Sequence, residues 1–518
     1  MPSPANARTQ PDASDAQAAS VQGTAARGPA RTPASGAVTP ERHGWRLDLF
    51  QYSPIFKWIA QRRSFQFALV FPNLLIILMF LVAGVFGSPV GNRNILIIFI
   101  WILWWFLLIS VMVPFASRIW CIVCPFPFFG EWLQRRALID VRFLDPKREK
   151  KGTDGVVIGR NRYFGLNRRW PKALSNIWIQ NLFFLALCTF SALFLTRPIV
   201  SVVVLGSLFA AATVFHVIYR QRAFCSYVCP VSGFLSLYSM TSMVEVRARD
   251  AEVCAKCTDK GCLAGSENGW GCPWFMYPSK MVRNNYCGLC MECVKACPYD
   301  NMTVNLRPFC SDRTLKGYDE VWKAFIMLSL AVTYSVLYLG PWGVLKDWAN
   351  APQSGKWAGF FAYAATLWIS ALVLIPAVYC GAVWLGKALA GRRDMPLKDG
   401  VLALAYPIVP LGLLAWVAFS LPLILVNGSY ILMTLSDPFG WGWNLFGTAD
   451  LAWTPVVPHW APYIQAVFLL VAFYWALKTG YDQAERLFGG GWAAAKGFAP
   501  VSVLLGLCVI SLLVLYVG

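Results

Sequence analysis

The sequence predicts a polytopic α-helical membrane protein of about nine spans with a small cytoplasmic α+β insert of the ferredoxin type, built to hold two iron–sulfur clusters. Three observations carry this. Apolar runs of bilayer-crossing length recur along the chain. Eight cysteines crowd between Cys254 and Cys297 at cluster-binding spacing. Lysines and arginines gather in alternate loops.

The composition agrees with the first point. Of 518 residues, 57% are hydrophobic and only 14% are charged, which is a membrane composition rather than that of a soluble domain. The formal net charge of +19 could mean nucleic acid, but the charges lie between apolar spans. Positive-inside topology is the simpler account, and no nucleic-acid partner is expected. Residues 1–40 hold no apolar core of signal-peptide length.

Residues 1–43, rich in Ala, Pro, Ser and Thr, bury too little apolar surface to fold and read as a disordered tail. Residues 44–63 interleave Trp45, Phe50 and Trp58 with Arg46, Lys57 and Arg62, as an interfacial segment lying on the bilayer does. A span needs about 20 apolar residues. By that rule spans lie near 65–87, 94–116, 177–196, 199–219, 322–340, 359–386, 401–426, 461–480 and 499–517. They divide into a four-span region (64–240), the insert (241–320) and a five-span region (321–518). The apolar run 401–435 contains Pro407, Pro410 and Pro422. It is too long for one simple helix and reads as a kinked span plus a surface segment.

The 117–176 loop carries Arg118, Arg135, Arg136, Arg142 and the run Lys147–Lys151, and the 387–398 loop carries Lys387, Arg392, Arg393 and Lys398. Intervening loops are poorer in positive charge. The rule then places the N-terminus and the insert in the cytoplasm. Membrane lipid is thus one expected partner.

Within the insert, Cys287, Cys290, Cys293 and Cys297-Pro298 form C-x2-C-x2-C-x3-C-P, the run that binds a [4Fe–4S] cluster. Cys254, Cys257, Cys262 and Cys272-Pro273 form a looser version with a longer last gap. Close cysteines wrap three irons of a cube, and in two-cluster ferredoxins the fourth ligand comes from the other run. One cluster then takes Cys254, Cys257, Cys262 and Cys297; the other takes Cys287, Cys290, Cys293 and Cys272. Zinc also uses C-x2-C pairs, but eight cysteines in this order, with proline after both fourth ligands, favour clusters.

The four-span region contains a repeat. Its second span ends in Arg118-Ile-Trp-Cys121-Ile-Val-Cys124-Pro125, its fourth in Arg222-Ala-Phe-Cys225-Ser-Tyr-Val-Cys229-Pro230. Both pairs sit where a helix leaves the membrane on the cytoplasmic side. Four thiolates from two such hairpins could hold a third cluster or another metal, serve as a thiol–disulfide pair, or only shape the helix exits.

These helix-exit cysteine pairs, followed by a two-run ferredoxin segment, resemble the NapH/NosR-type membrane polyferredoxins over roughly residues 65–320. The first exit here is C-x2-C-P, whereas the family spacing is C-x3-C-P, as at Cys225 and Cys229. The resemblance implies electron transfer between the quinone pool, cytoplasmic clusters and a periplasmic acceptor, or a role in maturing a metalloenzyme. The five-span region lies outside it.

No other cofactor or catalytic motif stands out. The three histidines, His43, His216 and His459, are too far apart to share a haem. His216 reads as a packed histidine, with a quinone head group as its functional alternative. Cys188, Cys380, Cys508 and Cys310 read as packing residues. The expected function is therefore membrane-bound iron–sulfur electron transfer with redox partner proteins, as a component of an oxidoreductase system. An assembly factor that reduces or delivers a metal, or a redox sensor, is the alternative.

Overall fold

The computed structural model describes residues 44–140, 150–151, 156–159 and 164–517. The expected tail 1–43 and the side chains of the 147–151 run lie outside the described residues. Among them, eight helices are long and apolar enough to cross a membrane: Phe65–Phe86, Ile95–Ala116, Pro198–Ile218, Tyr318–Leu339, Trp357–Leu389, Ile408–Asn427, Pro458–Phe488 and Trp492–Val517.

The count differs from the expected nine at one place. The 177–196 run is broken at Phe190 into the helices Trp178–Thr189 and Ser191–Thr196. Polar side chains sit in its first turn and beside the break. Asn181 Nδ2 donates to the Asp319 carbonyl at 2.8 Å, and Gln180 Nε2 to the Cys225 carbonyl at 3.1 Å. Thr189 Oγ1 turns back onto the Leu185 carbonyl at 2.8 Å, a bond that bends helices. The proline-rich 401–435 run also divides, into Leu397–Leu404, Ile408–Asn427 and Ser429–Ser436.

Two helices form the centre. The apolar windows of Tyr318–Leu339 and Ile408–Asn427 are each 72% buried, against 39% or less for the other six. They are joined by the fully buried Trp416, whose Nε1 donates to the Met327 carbonyl at 2.9 Å. The outer helices keep apolar faces exposed, which suits a lipid surround.

The 241–320 segment builds a small sheet beside this bundle. With strands β1 (Leu47–Asp48), β2 (Val244–Ala248) and β3 (Met302–Leu306), the order is β1-β3-β2, and both pairings are antiparallel. Val246 faces Val304, and Asp48 faces Asn305. Between β2 and β3 run all eight cysteines of the two ferredoxin-type runs, with short helices at Ala251–Lys256 and Glu292–Ala296.

The 44–63 segment is tied to this sheet. Asp48 Oδ1 caps the helix Leu49–Tyr52 through the Phe50 N–H at 2.9 Å and also accepts from the Thr303 hydroxyl, while Arg249 Nε donates to Asp48 Oδ2 at 2.8 Å. Phe50 and Ala60 enter a core with Val246, Met291, Val294 and Val304. Tyr52, Ile55 and Trp58 stay exposed on the outer side. Asp48→Ala removes the cap and both cross-links, so it should cost about 1–2 kcal/mol locally. Amide exchange should quicken along β1 and the Asn305 edge of β3, with the Ile408–Asn427 helix unchanged.

Candidate metal centre

Twelve cysteines fall into three sets of four. Cys262 lies within electrostatic reach of Cys297, Cys257 and Cys254. Cys293 is in the same relation to Cys290, Cys287 and Cys272. Both groupings take their fourth member from the other run, so Cys297 and Cys272 are each drawn across. Cys124 completes the pattern with Cys225, Cys229 and Cys121. The helix-exit pairs, about a hundred residues apart in sequence, thus share one locus.

The sets stand in file. Cys293 also senses Cys262, which links the first to the second. Cys287 senses Cys121, which links the second to the third. Exposure changes along the file. Cys254 and Cys257 are half-buried, whereas Cys272, Cys290, Cys293, Cys121 and Cys225 are buried.

Local backbone explains how the loops converge. Leu289 and Met291 take left-handed φ of 51° and 60°, at a cost of roughly 1–2 kcal/mol for each side chain. Alternation of this kind turns N–H groups inward, as in anion-binding nests. Accordingly, Cys287 accepts from the Leu289 N–H and Cys290 from the Glu292 N–H. Lys260, with φ of 50°, donates its N–H to Cys257 Sγ at 3.4 Å. Asn301 donates from its backbone to Cys297 Sγ at 3.4 Å and from Nδ2 to Cys254 Sγ at 3.3 Å. At the helix exits, Cys124 accepts from Phe126, and Cys229 from Ser232 and Val231.

The thiols resist ionisation. Burial, with help from neighbouring negative groups, pushes Cys229 up to about 11 and Cys262 and Cys290 to about 12. Cys225 is raised further, again by burial first. Crowded thiols of this kind become thiolates when a cation displaces their protons. Among the described residues, no three Cys, His, Asp or Glu side chains close up on a single ion.

A cation–π sandwich binds the third set to the second. Arg118 and Arg222, the matching residues of the repeat, are both 1% exposed. Their guanidinium carbons lie 4.4 Å and 5.5 Å from the centre of the Trp274 ring. Trp274 follows Cys272 and Pro273, and its N–H donates to Cys272 Sγ. A Cβ on Gly288 would come within 2.2 Å of the indole, so the ring lies flush on the Cys287–Cys290 turn. Each arginine also reaches into the opposite hairpin. Arg118 donates to Ser232 Oγ and, at 2.9 Å, to the Asn285 carbonyl. Arg222 grips Glu131 with Nε and Nη2 and donates from Nη1 to the Cys121 carbonyl at 2.9 Å. Burial opposes the charge on Glu131, but Arg135 and Arg222 outweigh it and hold the carboxyl down at about 2.

A second anchor ties the insert to the bundle. Glu320, in the first turn of Tyr318–Leu339, accepts from Arg283 at 2.8 Å and 3.0 Å, from Asn285 Nδ2 at 2.8 Å and from Tyr286 OH at 2.9 Å. These donors immediately precede Cys287.

Other expected candidates lie apart. His216 Nδ1 sits 2.7 Å from the Ala212 carbonyl, and its ring packs on Gly130. His459 lies in Pro458–Trp460, the opening turn of the seventh long helix. Cys310 is buried near Tyr406, whereas Cys380 and Cys508 sit in span helices. Sequence reasoning missed Trp274, Glu131 and Glu320. Only Trp274, next to Cys272-Pro273, carried a usable signal.

A family profile described as a 4Fe-4S binding domain matches residues 97–151 and 202–241. Those two segments contain the helix exits with Cys121, Cys124, Cys225 and Cys229. No curated protein and no solved structure matches the chain. The match and the eight apolar helices together define an iron–sulfur, electron-transport class of multi-pass membrane protein.

The Arg222–Glu131 pair can be tested directly. Glu131→Gln strands a buried guanidinium and should cost about 3–5 kcal/mol. Thermal unfolding in detergent should show the loss, and Glu131→Leu with Arg222→Met should recover most of it.

Proposed function

We propose that this chain is an inner-membrane electron carrier with three [4Fe–4S] sites. Cys254, Cys257, Cys262 and Cys297 hold the first, Cys287, Cys290, Cys293 and Cys272 the second, and Cys121, Cys124, Cys225 and Cys229 the third. The observation that carries the reading is the gathering of two distant helix exits into one four-thiol set against the insert. The family match over those same exits supports it.

Bound clusters supply one-electron transfer at potentials set by charge, hydrogen bonds and exposure. The chain supplies the remainder. Backbone N–H groups and Asn301 donate to sulfur, which favours thiolate. Arg118 and Arg222 offset negative charge where water is excluded. Trp274 and the arginines hold the second and third sets in fixed relation. Burial of Cys121 and Cys225 suits a resident group better than a metal handed onward, which weighs against the assembly-factor reading.

The sheet of β1 to β3 with its two cysteine runs is read as a ferredoxin-like insert on the cytoplasmic side, because the basic loops adjoin it. The half-buried first set is the natural entry for a soluble or quinone-linked donor. The resemblance to the NapH/NosR-type polyferredoxins points to a periplasmic redox partner as acceptor.

Anaerobically purified protein should contain about twelve irons per chain, and Cys121→Ser with Cys225→Ser about eight, with one reduced-cluster EPR signal lost. About eight in both would confine the clusters to the insert. Zinc in place of iron would sink the electron-transfer reading.

A further inference from the structure

The helix Tyr318–Leu339 encloses a lysine. Lys323 is 0% exposed, and its Nζ has no hydrogen-bond partner among the described residues. The nitrogen lies 4.1 Å from the centre of the Phe184 ring. It also lies over Gly233, where an added Cβ would stand 3.4 Å away. Gly233 is one turn into the helix Pro230–Tyr238, which begins at Cys229, and Gly233 N–H donates to the Cys229 carbonyl at 3.2 Å. Lys323 is accordingly within electrostatic reach of Cys229, and of Cys188 on the facing helix Trp178–Thr189.

An ammonium ion taken out of water without a partner costs several kcal/mol, and a buried aromatic face returns only about 2 kcal/mol of that. The acids of its own helix are engaged elsewhere. Glu320 is bound by Arg283, and Asp319 Oδ2 accepts from the Ile177 N–H at 3.0 Å. Gln180 Nε2 donates to the Cys225 carbonyl, and its Oε1, though also beside Gly233, makes no hydrogen bond to Lys323 Nζ. The position calls for an anion on the Cys229 side.

We propose that Lys323 is the buried counter-charge of the group held by Cys121, Cys124, Cys225 and Cys229, and that it raises the reduction potential there. This rests on the three-cluster reading. Four thiolates around a doubly positive iron–sulfur core make a dianion. One electron from the adjacent insert site makes a trianion, with no bond broken and no proton required. A fixed positive charge stabilises the trianion more than the dianion. Lys323 is a positioning residue in this scheme, acting on the potential and not on a substrate.

The test is an anaerobic redox titration of the full chain followed by EPR, with iron counted in each sample. Lys323→Met removes a charge from an apolar interior and should fold, and Lys323→Gln is a second neutral variant. With about twelve irons retained, either should lower one midpoint by about 59 mV or more, a tenfold change in the oxidised-to-reduced ratio. The two insert midpoints should hold. Lys323→Arg should keep the wild-type midpoint, and so should Cys188→Ala. An unchanged midpoint in both neutral variants, with the third signal present, overturns the proposal and assigns the lysine to Cys188. About eight irons in the wild type overturns the three-cluster reading instead.

Discussion

The exchange of arginines around Trp274 is the interaction on which the remaining architecture depends. Arg118 leaves the first hairpin to bind Ser232 in the second, and Arg222 leaves the second to bind Glu131 in the first. Both guanidinium groups lie on a ring contributed by the insert. Both hairpins and the insert are thereby held at one point. Arginine suits the task because its planar fork forms paired hydrogen bonds and stacks on an aromatic face together. A lysine at either place would lose one of the two. The buried Arg222–Glu131 pair is a poor source of net stability, since desolvation offsets much of the Coulomb gain. Its value is in geometry, because it fixes which thiols can meet.

That geometry explains why the cysteines need not be adjacent in sequence. In the insert, left-handed residues at Lys260, Leu289 and Met291 bend the chain tightly enough for neighbours to converge. At the helix exits the turns are looser, and convergence is delegated to the arginines. Prolines at Pro125 and Pro230 follow each pair. Pro230 starts a new helix whose first N–H groups point at Cys229, a favourable place for a thiolate.

Local spacing made the two cysteine runs legible, since C-x2-C-x2-C-x3-C-P fixes its own turn. The helix-exit repeat was visible too, because Arg, aromatic, Cys and Cys-Pro recur in order. A joint locus for the four thiols was one of several readings left open, since the choice depends on Glu131 and Ser232, which sit in unremarkable helices. The break at Phe190 was hidden. It coincides with the bond from Thr189 Oγ1 back to the Leu185 carbonyl, which a hydropathy count does not register. The 44–63 segment has an amphipathic pattern that fits a bilayer surface, and the pairing of Leu47 with Leu306 depends on a strand more than 250 residues away. Periodicity cannot see a partner at that distance.

The charge arrangement gives the file a direction on the three-cluster reading. Burial alone would make the two inner sites harder to reduce than the first, because an added negative charge is costliest where water is absent. Lys323, Arg118 and Arg222 oppose that cost from different sides, and two of them are also part of the frame. The first site needs no such help, since Cys254 and Cys257 are half-buried and solvent can respond to their charge. Burial rises from the first site to the inner two, and fixed positive charge beside the inner sites offsets its cost. The repeat contributes two of these charges by symmetry. The third comes from the five-span region, so the helix Tyr318–Leu339 belongs to the redox site as much as to the bundle.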